Sequence, residues 1–422
     1  MTQPDATARG QFNWSATYRY AFDKILTPAS VSELQDLVAG ASQVKAVGSR
    51  HSFTGITDGP LAVSVADLPA AIEVSSDRQT VTVPPGITYG ALAKQLHKDG
   101  LALANLASLP HISVAGAIAT ATHGSGRNNG NLATAVQGIQ FVLANGELIE
   151  LSAGDAWFGG AVVHLGALGV VSRLTLKVER EFQVAQRVYE NLPWEVVTEN
   201  FEELMSAAYS VSVFTDRAQH AARVWLKQRS DWPESPATLF GARTATRDVH
   251  PLPGLDPANC TSQLGVPGLW SDRLPHFRME FTPSNGEEIQ SEFHIPAACG
   301  PEAIRAVRQL RDRLSHVLQV WEIRVIKADS LWLSPQYHRD SVAFHMTWDV
   351  DVAGVSAAVQ LVEQVLSPFD PRPHWGKVFT RTQPPVAAKY ERHGDFITLQ
   401  KKLDPGGKFI NDWVRANVLG EQ

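Results

Sequence analysis

In the first 180 residues, apolar and polar residues follow one another in short segments, and this pattern predicts short strands mixed with helices. Ser30 and Glu33 form a capping box ahead of apolar residues at helical spacing, so a helix is expected to begin near Val31. Asn145-Gly146 lies between two apolar runs and predicts a β-hairpin. Apolar alternation over Val170–Val178 predicts a strand that closes this unit. Further expected elements are a strand at Val44–Val47, a hairpin of Ile72–Val74 with Thr80–Val83, and a helix from Thr88 to Lys98.

The pattern changes from about residue 182 onward. Prolines from Pro233 to Pro267 mark an irregular stretch between strand-like runs. Pro301 and the apolar spacing after it predict a helix over Pro301–Leu318, and a further helical segment is expected near Lys389–Lys401. We interpret this half as a second, α+β domain. No apolar stretch is expected to reach the roughly 18 residues that a membrane-spanning helix needs.

Length and composition narrow the class of protein. A chain of 422 residues is too long for one compact core. The hydrophobic fraction of 44%, the charged fraction of 19% and the net charge of −6 are typical of a globular protein without a nucleic-acid or anionic-membrane footprint. Cys260 and Cys299 lie far apart and match no redox or haem motif, which suits a reducing compartment. The N-terminus does not resemble a signal peptide, so we expect a cytoplasmic protein.

Several common nucleotide and hydrolase motifs are missing from the sequence. Gly124, Gly126 and Gly130 do not have the spacing of a dinucleotide-binding fingerprint, and there is no P-loop. There is no HExxH motif, no cysteine cluster and no GxSxG elbow. We therefore expect no metal site.

Three segments carry candidate chemistry. The first is Ala46–Phe53, where a glycine and small polar residues follow a strand and expose backbone N–H groups that suit a pyrophosphate. The alternative is a turn with a surface histidine, His51. The second is Ala107–Gly126, in which the residues from Ser113 onward are nearly all small. Such a run lets a planar ligand approach the backbone, although close helix packing also favours small residues.

The third set lies in the second half of the chain. The two-residue period of a strand places Glu322 and Arg324 on one face, about 7 Å apart. By the same rule His345 and Thr347 share a face of another strand, with aromatic residues opposite. Such a face either lines a polar pocket or is exposed to water. Pattern alone leaves both alternatives open.

Taken together, six motifs resemble the alditol oxidases of the vanillyl-alcohol-oxidase superfamily of FAD enzymes, which also holds the aldonolactone oxidases. The motifs are GSRHSF, SLPHISVAGAIATATHGSG, HLGALGVVSRLTLKV, WEIR, HMTW and HWGK, in this order along nearly the whole chain. The resemblance implies an α+β fold of two domains, with a PCMH-type FAD-binding domain and a substrate domain. The implied bounds are 1–181 for the FAD-binding domain, 182–371 for the substrate domain, and 372–422 for a segment that completes the first domain and the active site.

The resemblance also implies the site. His51 would be bonded covalently to FAD through the flavin 8α carbon. The other implied cofactor contacts are Ala46, Val47, Gly48, Ser49, Arg50, Ser52, Ser108, Ser113, Gly116, Thr120, Ala121, Thr122, His123, Val171 and His374. The implied substrate contacts are Ser108, Glu322, Arg324, Thr347 and Lys377, with His345 nearby. The N-terminal dozen residues and the proline-rich stretch match nothing in the family, and the site is not expected to need them.

The implied reaction is oxidation of the C1 hydroxyl of a small polyol such as xylitol or sorbitol, with O2 reduced to H2O2. We hypothesise that Arg324 and Lys377 stabilise negative charge on the C1 oxygen, and that Glu322 binds the C2 hydroxyl and holds both cations. His345 or water would accept the proton. The alternatives are an aldonolactone oxidase or dehydrogenase, and a non-catalytic flavin- or carbohydrate-binding protein. A monomer is expected, while the preferred polyol and the physiological acceptor stay open.

Overall fold

A computed structural model describes residues 11–22, 24–69, 71–215, 221–281, 287–381 and 384–420. The first ten residues, on which the expectation of no signal peptide mainly rests, lie outside this part.

The first half of the chain contains short strands and four helices among its described residues. The strands are β1 (Ile25–Leu26), β2 (Lys45–Val47), β3 (Ala62–Ser64), β4 (Glu73–Val74), β5 (Thr80–Val83), β6 (Leu101–Ala102), β7 (Val136–Val142), β8 (Leu148–Ser152), β9 (Val170–Lys177) and β10 (Glu179–Arg180). The helices are α1 (Val31–Gly40), α2 (Tyr89–Lys98), α3 (Val114–Ala119) and α4 (Phe158–Val162). One sheet has the order β1-β3-β2, a second has β4-β5-β9-β7-β8, and β6 pairs with β10.

The local signals in this half are confirmed. The Ser30 hydroxyl accepts a hydrogen bond from the Glu33 N–H at 3.1 Å and begins α1, as predicted. The Asn145-Gly146 hairpin joins β7 to β8. Its turn is longer than the two-residue type, because Leu143 N–H still bonds Glu147 O at 2.8 Å and Gly146 adopts a positive φ of 86°. A glycine at that position removes the strain that a side chain would add.

The second half of the chain forms one large sheet flanked by helices. Its strands are β11 (Gln183–Leu192), β12 (Ser210–Phe214), β13 (Ala222–Arg229), β14 (Thr238–Leu239), β15 (Ala242–Thr244), β16 (Gly268–Leu269), β17 (Ile289–Pro296), β18 (Leu318–Ile326), β19 (Ser341–Trp348) and β20 (Arg372–Pro373). The helices that accompany it are α5 (Trp194–Glu199), α6 (Phe201–Met205), α7 (Gly300–Arg308), α8 (Arg311–Leu314) and α9 (Val352–Leu366). The last two helices, α10 (His393–Leu403) and α11 (Asp412–Val414), pack in the apolar cluster of the first half of the chain. The order is β14-β15-β11-β13-β12-β18-β19-β17-β20, and β16 pairs with β11.

The three neighbouring strands β18, β19 and β17 separate apolar from polar chemistry. Trp321 and Ile323 on β18 and Phe344 and Met346 on β19 pack in one apolar cluster, which also contains buried residues of α7 and α9. The residues that alternate with them face the other way. The sheet is therefore the wall between a hydrophobic core and the candidate site.

Two helices predicted from the sequence in this half have wrong boundaries. The helix predicted over Pro301–Leu318 is two helices, α7 and α8, and Leu318 is already the first residue of β18. The predicted helix was too long because the apolar residues of the buried strand β18 follow α8 with only Ser315–Val317 between the two elements. The segment expected near Lys389–Lys401 is α10, which begins later, at His393.

The expectation that no apolar stretch is long enough to span a membrane is also wrong. The window Val352–Phe369, which is α9 and the turn after it, has 18 residues and a mean hydropathy of 1.3. Val355, Val359 and Val362 on one face of this helix are buried in the apolar cluster behind the large sheet. This packing accounts for the apolar face of α9 as part of a protein core.

We predict that Ile323→Ala destabilises the protein by roughly 2–5 kcal/mol, because Ile323 is fully buried and its removal leaves a cavity between β18 and the helices. Val352→Ala is the matched control, since Val352 is 65% exposed and should change stability by less than about 0.5 kcal/mol. Urea unfolding followed by tryptophan fluorescence measures both. Equal midpoints for the two variants would contradict the packing described here.

Candidate active site

A cleft of about 400 Å³ runs from the loop after β2 to the polar face of β17, β18 and β19. The segment Ala46–Ser52 lines one end, α3 and the residues after it line the middle, and the three strands line the other end. The cleft therefore joins all three segments that the sequence singled out.

The loop after β2 and the start of α3 approach each other closely. Ser49 N–H donates to Ser113 Oγ at 3.3 Å, and Ser113 N–H donates to Ser49 Oγ at 3.0 Å. A Cβ atom added to Gly48 would collide with Ser113 Oγ, so a side chain at this position would displace the serine hydroxyl. The backbone of this loop and of α3 thus forms a narrow cradle along one side of the cleft.

His51 lies at the end of this cradle and lines the cleft. Its ring stacks on Trp14, with ring centroids 5.4 Å apart. Its Nδ1 atom is buried and has no hydrogen-bond partner within the described residues. Burial, together with the nearby His111, lowers the pKa of His51 to about 4, so the imidazole is neutral at neutral pH.

At the far end of the cleft, three charged or titratable side chains lie in a row across the sheet. Glu292 on β17 pairs with His345 on β19, and His345 pairs with Glu322 on β18. Arg324 lies on the same face of β18, two residues after Glu322. Glu322, Arg324 and Thr347 are each only 4% exposed, which excludes the alternative of a water-exposed sheet face.

Glu292 makes the densest set of polar contacts in this region. Its Oε1 accepts from Arg324 Nη2 at 2.9 Å and lies 2.8 Å from His123 Nε2. Its Oε2 accepts from Lys377 Nζ at 2.5 Å and lies 3.3 Å from His345 Nδ1. Burial alone would raise the pKa of Glu292, but Lys377, His123 and Arg324 lower it well below its ordinary value.

His345 is held as a neutral imidazole between a lysine and a hydroxyl. Lys377 Nζ lies 2.6 Å from His345 Nδ1, and His345 Nε2 lies 3.2 Å from Thr347 Oγ1. An ammonium group can only donate, so Nδ1 is the acceptor and Nε2 carries the proton. Burial and Lys377 lower the pKa of His345 to about 4, which agrees with this assignment.

A second chain of contacts fixes Glu322. Its Oε1 lies 3.1 Å from His276 Nε2 and 3.6 Å from Arg324 Nε. Lys227 Nζ lies 3.2 Å from His276 Nδ1, so Nδ1 accepts and Nε2–H donates to the carboxylate. Burial opposes ionisation of Glu322, but Arg324 and His276 lower its pKa below the ordinary value. Glu322 therefore contacts one of the two cations, whereas Glu292 contacts both, contrary to the expectation that Glu322 holds the pair.

The structure brings almost the whole expected site together. Ser108, Glu322, Arg324, His345, Thr347 and Lys377 line the cleft, as do Ala46, Val47, Gly48, Ser49, Arg50, His51, Ser52, Ser113, Gly116, Thr120, Thr122, His123, Val171 and His374. The expected contact Ala121 does not line it. Ala121 is fully buried with a positive φ of 52°, and its N–H bonds Ile118 O in the turn that ends α3.

Several residues of the cleft were not expected. Those at and near the polar end include Phe214, Pro251, Leu252, His276, Phe277, Gln290 and Glu292. Pro251 belongs to the proline-rich stretch, which therefore lines part of the cleft although the site was not expected to need it. Gln290 and Glu292 alternate with Ile289, Ser291 and Phe293 along β17, which is the same two-residue spacing that identified Glu322 and Arg324. No comparable pattern marks His276.

These features fit a flavin dinucleotide. The cradle of small residues allows close approach of a planar or phosphate-bearing group, and the buried Nδ1 of His51 is an unpaired ring nitrogen that faces no protein partner among the described residues. His123, Glu292 and His294 also offer ligand atoms within 4.8 Å of one another, as a metal site would. However, Arg324 and Lys377 already neutralise the Glu292 carboxylate, which disfavours a further cation there.

Comparison with known proteins agrees with this geometry. Residues 22–152 match the FAD binding domain family, and residues 282–417 match the D-arabinono-1,4-lactone oxidase family. The chain is 46% identical to the alditol oxidase of a Streptomyces species, over 97% of this chain and 99% of that protein. It is 30% identical to the L-gulono-1,4-lactone dehydrogenase of Mycobacterium tuberculosis, over 97% and 98%. Cholesterol oxidase from Brevibacterium sterolicum has the same fold, with a TM-score of 0.78 and 14% identity over 96% of both chains.

The fold and the cleft are those of a two-domain FAD-dependent oxidoreductase. Within that class, the chain belongs to the alditol oxidase family, which is related to the aldonolactone oxidases.

We predict that the protein loses stability as the pH falls from about 6.5 to about 4. His276 is buried and neutral, and burial, with Lys227 nearby, lowers its pKa to about 4. The unfolded chain binds a proton at this residue below about 6.5 and the folded chain does not, so the free energy of unfolding falls by up to about 1.4 kcal/mol per pH unit for this one group.

His276→Gln removes that contribution, so its unfolding free energy, measured by urea titration at several pH values, should fall less steeply over this range than the wild-type value. The exposed His338 is the control position, since His338→Gln should leave the slope unchanged. Identical slopes for wild type and His276→Gln would contradict the neutral assignment of His276.

Proposed function

We propose that the protein is an FAD-dependent oxidase that converts the C1 hydroxyl of small alditols, such as xylitol and sorbitol, to the aldehyde. The observation that carries this proposal is the convergence of Arg324, Lys377 and Glu322 with the hydroxyls of Ser108 and Thr347 at the end of the cofactor cleft. FAD, held by the loop Ala46–Ser52 and the small residues of α3, would supply the acceptor for hydride from C1, with O2 as the final electron acceptor and H2O2 as its product.

We further propose that FAD is attached covalently through His51. Attachment requires an unprotonated ring nitrogen, and the low pKa of His51 supplies one at neutral pH. Its orphaned Nδ1 and its stacking on Trp14 support a ring that is held in one orientation toward the cleft. A neutral, oriented imidazole is the nucleophile that the bond needs.

Recognition of a polyol requires a partner for each hydroxyl, since a buried unpaired hydroxyl costs about 1–3 kcal/mol. The polar end of the cleft offers donors on Arg324 and Lys377, an acceptor on Glu322, and hydroxyls on Ser108 and Thr347 that can do either. Ser108 Oγ already accepts from Arg324 Nη1 at 3.4 Å, which aligns the serine with the cation. We propose that Glu322 binds the C2 hydroxyl, because His276 and Arg324 keep its carboxylate ionised.

Removal of hydride from C1 is easier when the C1 hydroxyl loses its proton. We propose that Arg324 and Lys377 stabilise the negative charge that develops on that oxygen. His345 Nδ1 accepts a hydrogen bond from Lys377, so His345 can accept the proton through Lys377 as the alcohol gives its own proton to the lysine. The neutral state of His345 at neutral pH is the one that this step needs.

A second candidate keeps the fold and changes the substrate to an aldonolactone. The match of residues 282–417 to the D-arabinono-1,4-lactone oxidase family favours it. The ionised Glu322, which pairs well with a second free hydroxyl next to C1, favours the alditol. Reduction of the flavin by a lactone and not by xylitol would decide for the second candidate.

We also keep as proposals the domain bounds 1–181, 182–371 and 372–422, a monomeric state and a cytoplasmic location. Use of O2 fits the small side chains of Ala107 and Ser108 that line the cleft, since they leave room for O2 beside a bound flavin.

We predict that the purified protein is yellow and that the colour stays with the protein pellet after acid precipitation. Under anaerobic conditions xylitol or sorbitol should bleach it, and air should restore the colour with formation of H2O2. His51→Ala is the control, because its colour should pass to the supernatant. If wild-type colour is also found in the supernatant, the covalent bond is rejected while FAD binding stands.

We predict that Arg324→Ala and Lys377→Ala each lower kcat/KM for xylitol by about 10²–10³, as removal of one group that stabilises a developing oxyanion typically does. Lys401→Ala, at an exposed lysine of α10, should keep wild-type kinetics. Steady-state oxygen consumption, normalised to bound flavin, measures all three. Changes of less than about threefold in both site variants would remove these side chains from the proposed mechanism.

A further inference from the structure

Glu292 lies outside the six sequence motifs that carry the family resemblance. Nevertheless, it contacts more charged and titratable side chains than Glu322 does. Its side chain has 0% exposure, so its charge is fully removed from water. The groups that face it come from every neighbouring element: Arg324 from β18, His345 from β19, Lys377 from the loop after β20, and His123 from the loop after α3.

We propose that Glu292 is the positioning residue that holds Arg324 and Lys377 charged and aimed at the C1 oxygen of the substrate; this inference rests on the proposed alditol oxidation. One carboxylate oxygen contacts the guanidinium and the other contacts the ammonium. Glu292 therefore acts through the two cations and makes no contact with the substrate itself.

The geometry explains why a carboxylate is needed at this place. Arg324 and Lys377 contact the two oxygens of one carboxylate and are largely removed from water, so their like charges repel each other. Arginine cannot lose its proton, but a buried lysine can. Burial lowers the pKa of Lys377, whereas the Glu292 carboxylate raises it. Without Glu292, Lys377 is the group that gives up its proton.

The second carboxylate of the site cannot replace Glu292. Glu322 contacts Arg324 at 3.6 Å and is otherwise engaged by His276. It is two strands away from Glu292, with His345 between them. Glu292 contacts the ammonium of Lys377 directly and raises the pKa of Lys377 more than Glu322 does.

The test is Glu292→Gln, which keeps the size and removes the charge, compared with Glu292→Asp, which keeps the charge. For the Gln variant we expect the rate constant of anaerobic flavin reduction by xylitol to fall about 100-fold. We expect the alkaline limit of this rate to move to lower pH, because Lys377 then loses its proton more easily. The rate constant of flavin reduction in the Asp variant should be at least ten times that of the Gln variant.

A readout other than activity separates positioning from folding. Equilibrium binding of D-xylose, the aldehyde product, to the oxidised holoenzyme is followed by the change in flavin absorbance. We expect its dissociation constant to change less than about fivefold in the Gln variant, because Ser108, Glu322 and Thr347 stay in place and a neutral Lys377 still offers hydrogen bonds to a hydroxyl. Flavin absorbance per protein confirms that cofactor is loaded.

Glu363→Gln is the matched structural control. Glu363 is a buried carboxylate on α9 that accepts hydrogen bonds from Thr380 and lies outside the cleft. It should lower the melting temperature and leave the pH dependence of flavin reduction unchanged. If Glu292→Gln behaves like Glu363→Gln, the positioning role is overturned and the proposed function stands.

Two further outcomes are decisive. If Glu292→Gln does not fold, Glu292→Asp is compared with wild type. Because this variant keeps the charge, we expect a rate within about tenfold of wild type and an unchanged alkaline limit; a loss of about 100-fold in spite of the retained charge overturns the proposal. If wild-type flavin is reduced by neither alditols nor aldonolactones, the proposed function itself fails, and the inference fails with it.

Discussion

Two cationic side chains lie largely out of water at one end of the cleft, with the Arg324 side chain 5% and the Lys377 side chain 14% exposed. A buried charge costs several kcal/mol unless an opposite charge and hydrogen bonds compensate it. The compensation comes from Glu292 and Glu322, on strands that flank β19 on either side. The need for these two carboxylates constrains both the register of the strands and the opposite face of the sheet. The strands must be in register so that both carboxylates face the same way, and the opposite face must be apolar so that the sheet packs firmly on α7 and α9.

The neutral histidines complete this electrostatic arrangement. With His276 and His345 unprotonated, Arg324 and Lys377 are balanced by Glu292 and Glu322. Each histidine accepts from a lysine on one ring nitrogen and donates from the other, His276 to Glu322 and His345 to Thr347. The lysines thus determine which nitrogen carries the proton. Orientation of the polar groups before substrate binding is the condition for strong stabilisation of a developing charge.

Much of this could be predicted from the sequence, because the informative signals are local. The cap at Ser30 and the turn at Asn145-Gly146 depend on neighbouring residues only, and the polar face of β18 and β19 follows from a period of two. Glu292 could have been found in the same way, since Gln290, Glu292 and His294 alternate along β17. His276 could not, because it lies in an irregular stretch and reaches Glu322 only through tertiary packing. In the same way, a motif of small residues could not show that Ala121 is buried behind the surface of the cleft.

The two ends of the cleft make opposite electrostatic demands. At His51 the environment must keep an imidazole neutral, and burial against Trp14 does so without any counter-charge. At Lys377 the environment must keep an ammonium charged despite burial, and this requires a carboxylate in direct contact. Because desolvation acts on both groups in the same direction, the difference between them comes from Glu292. The Glu292 carboxylate therefore keeps Lys377 charged, as stabilisation of an oxyanion requires, whereas His51 has no such partner and stays neutral, as a nucleophile requires.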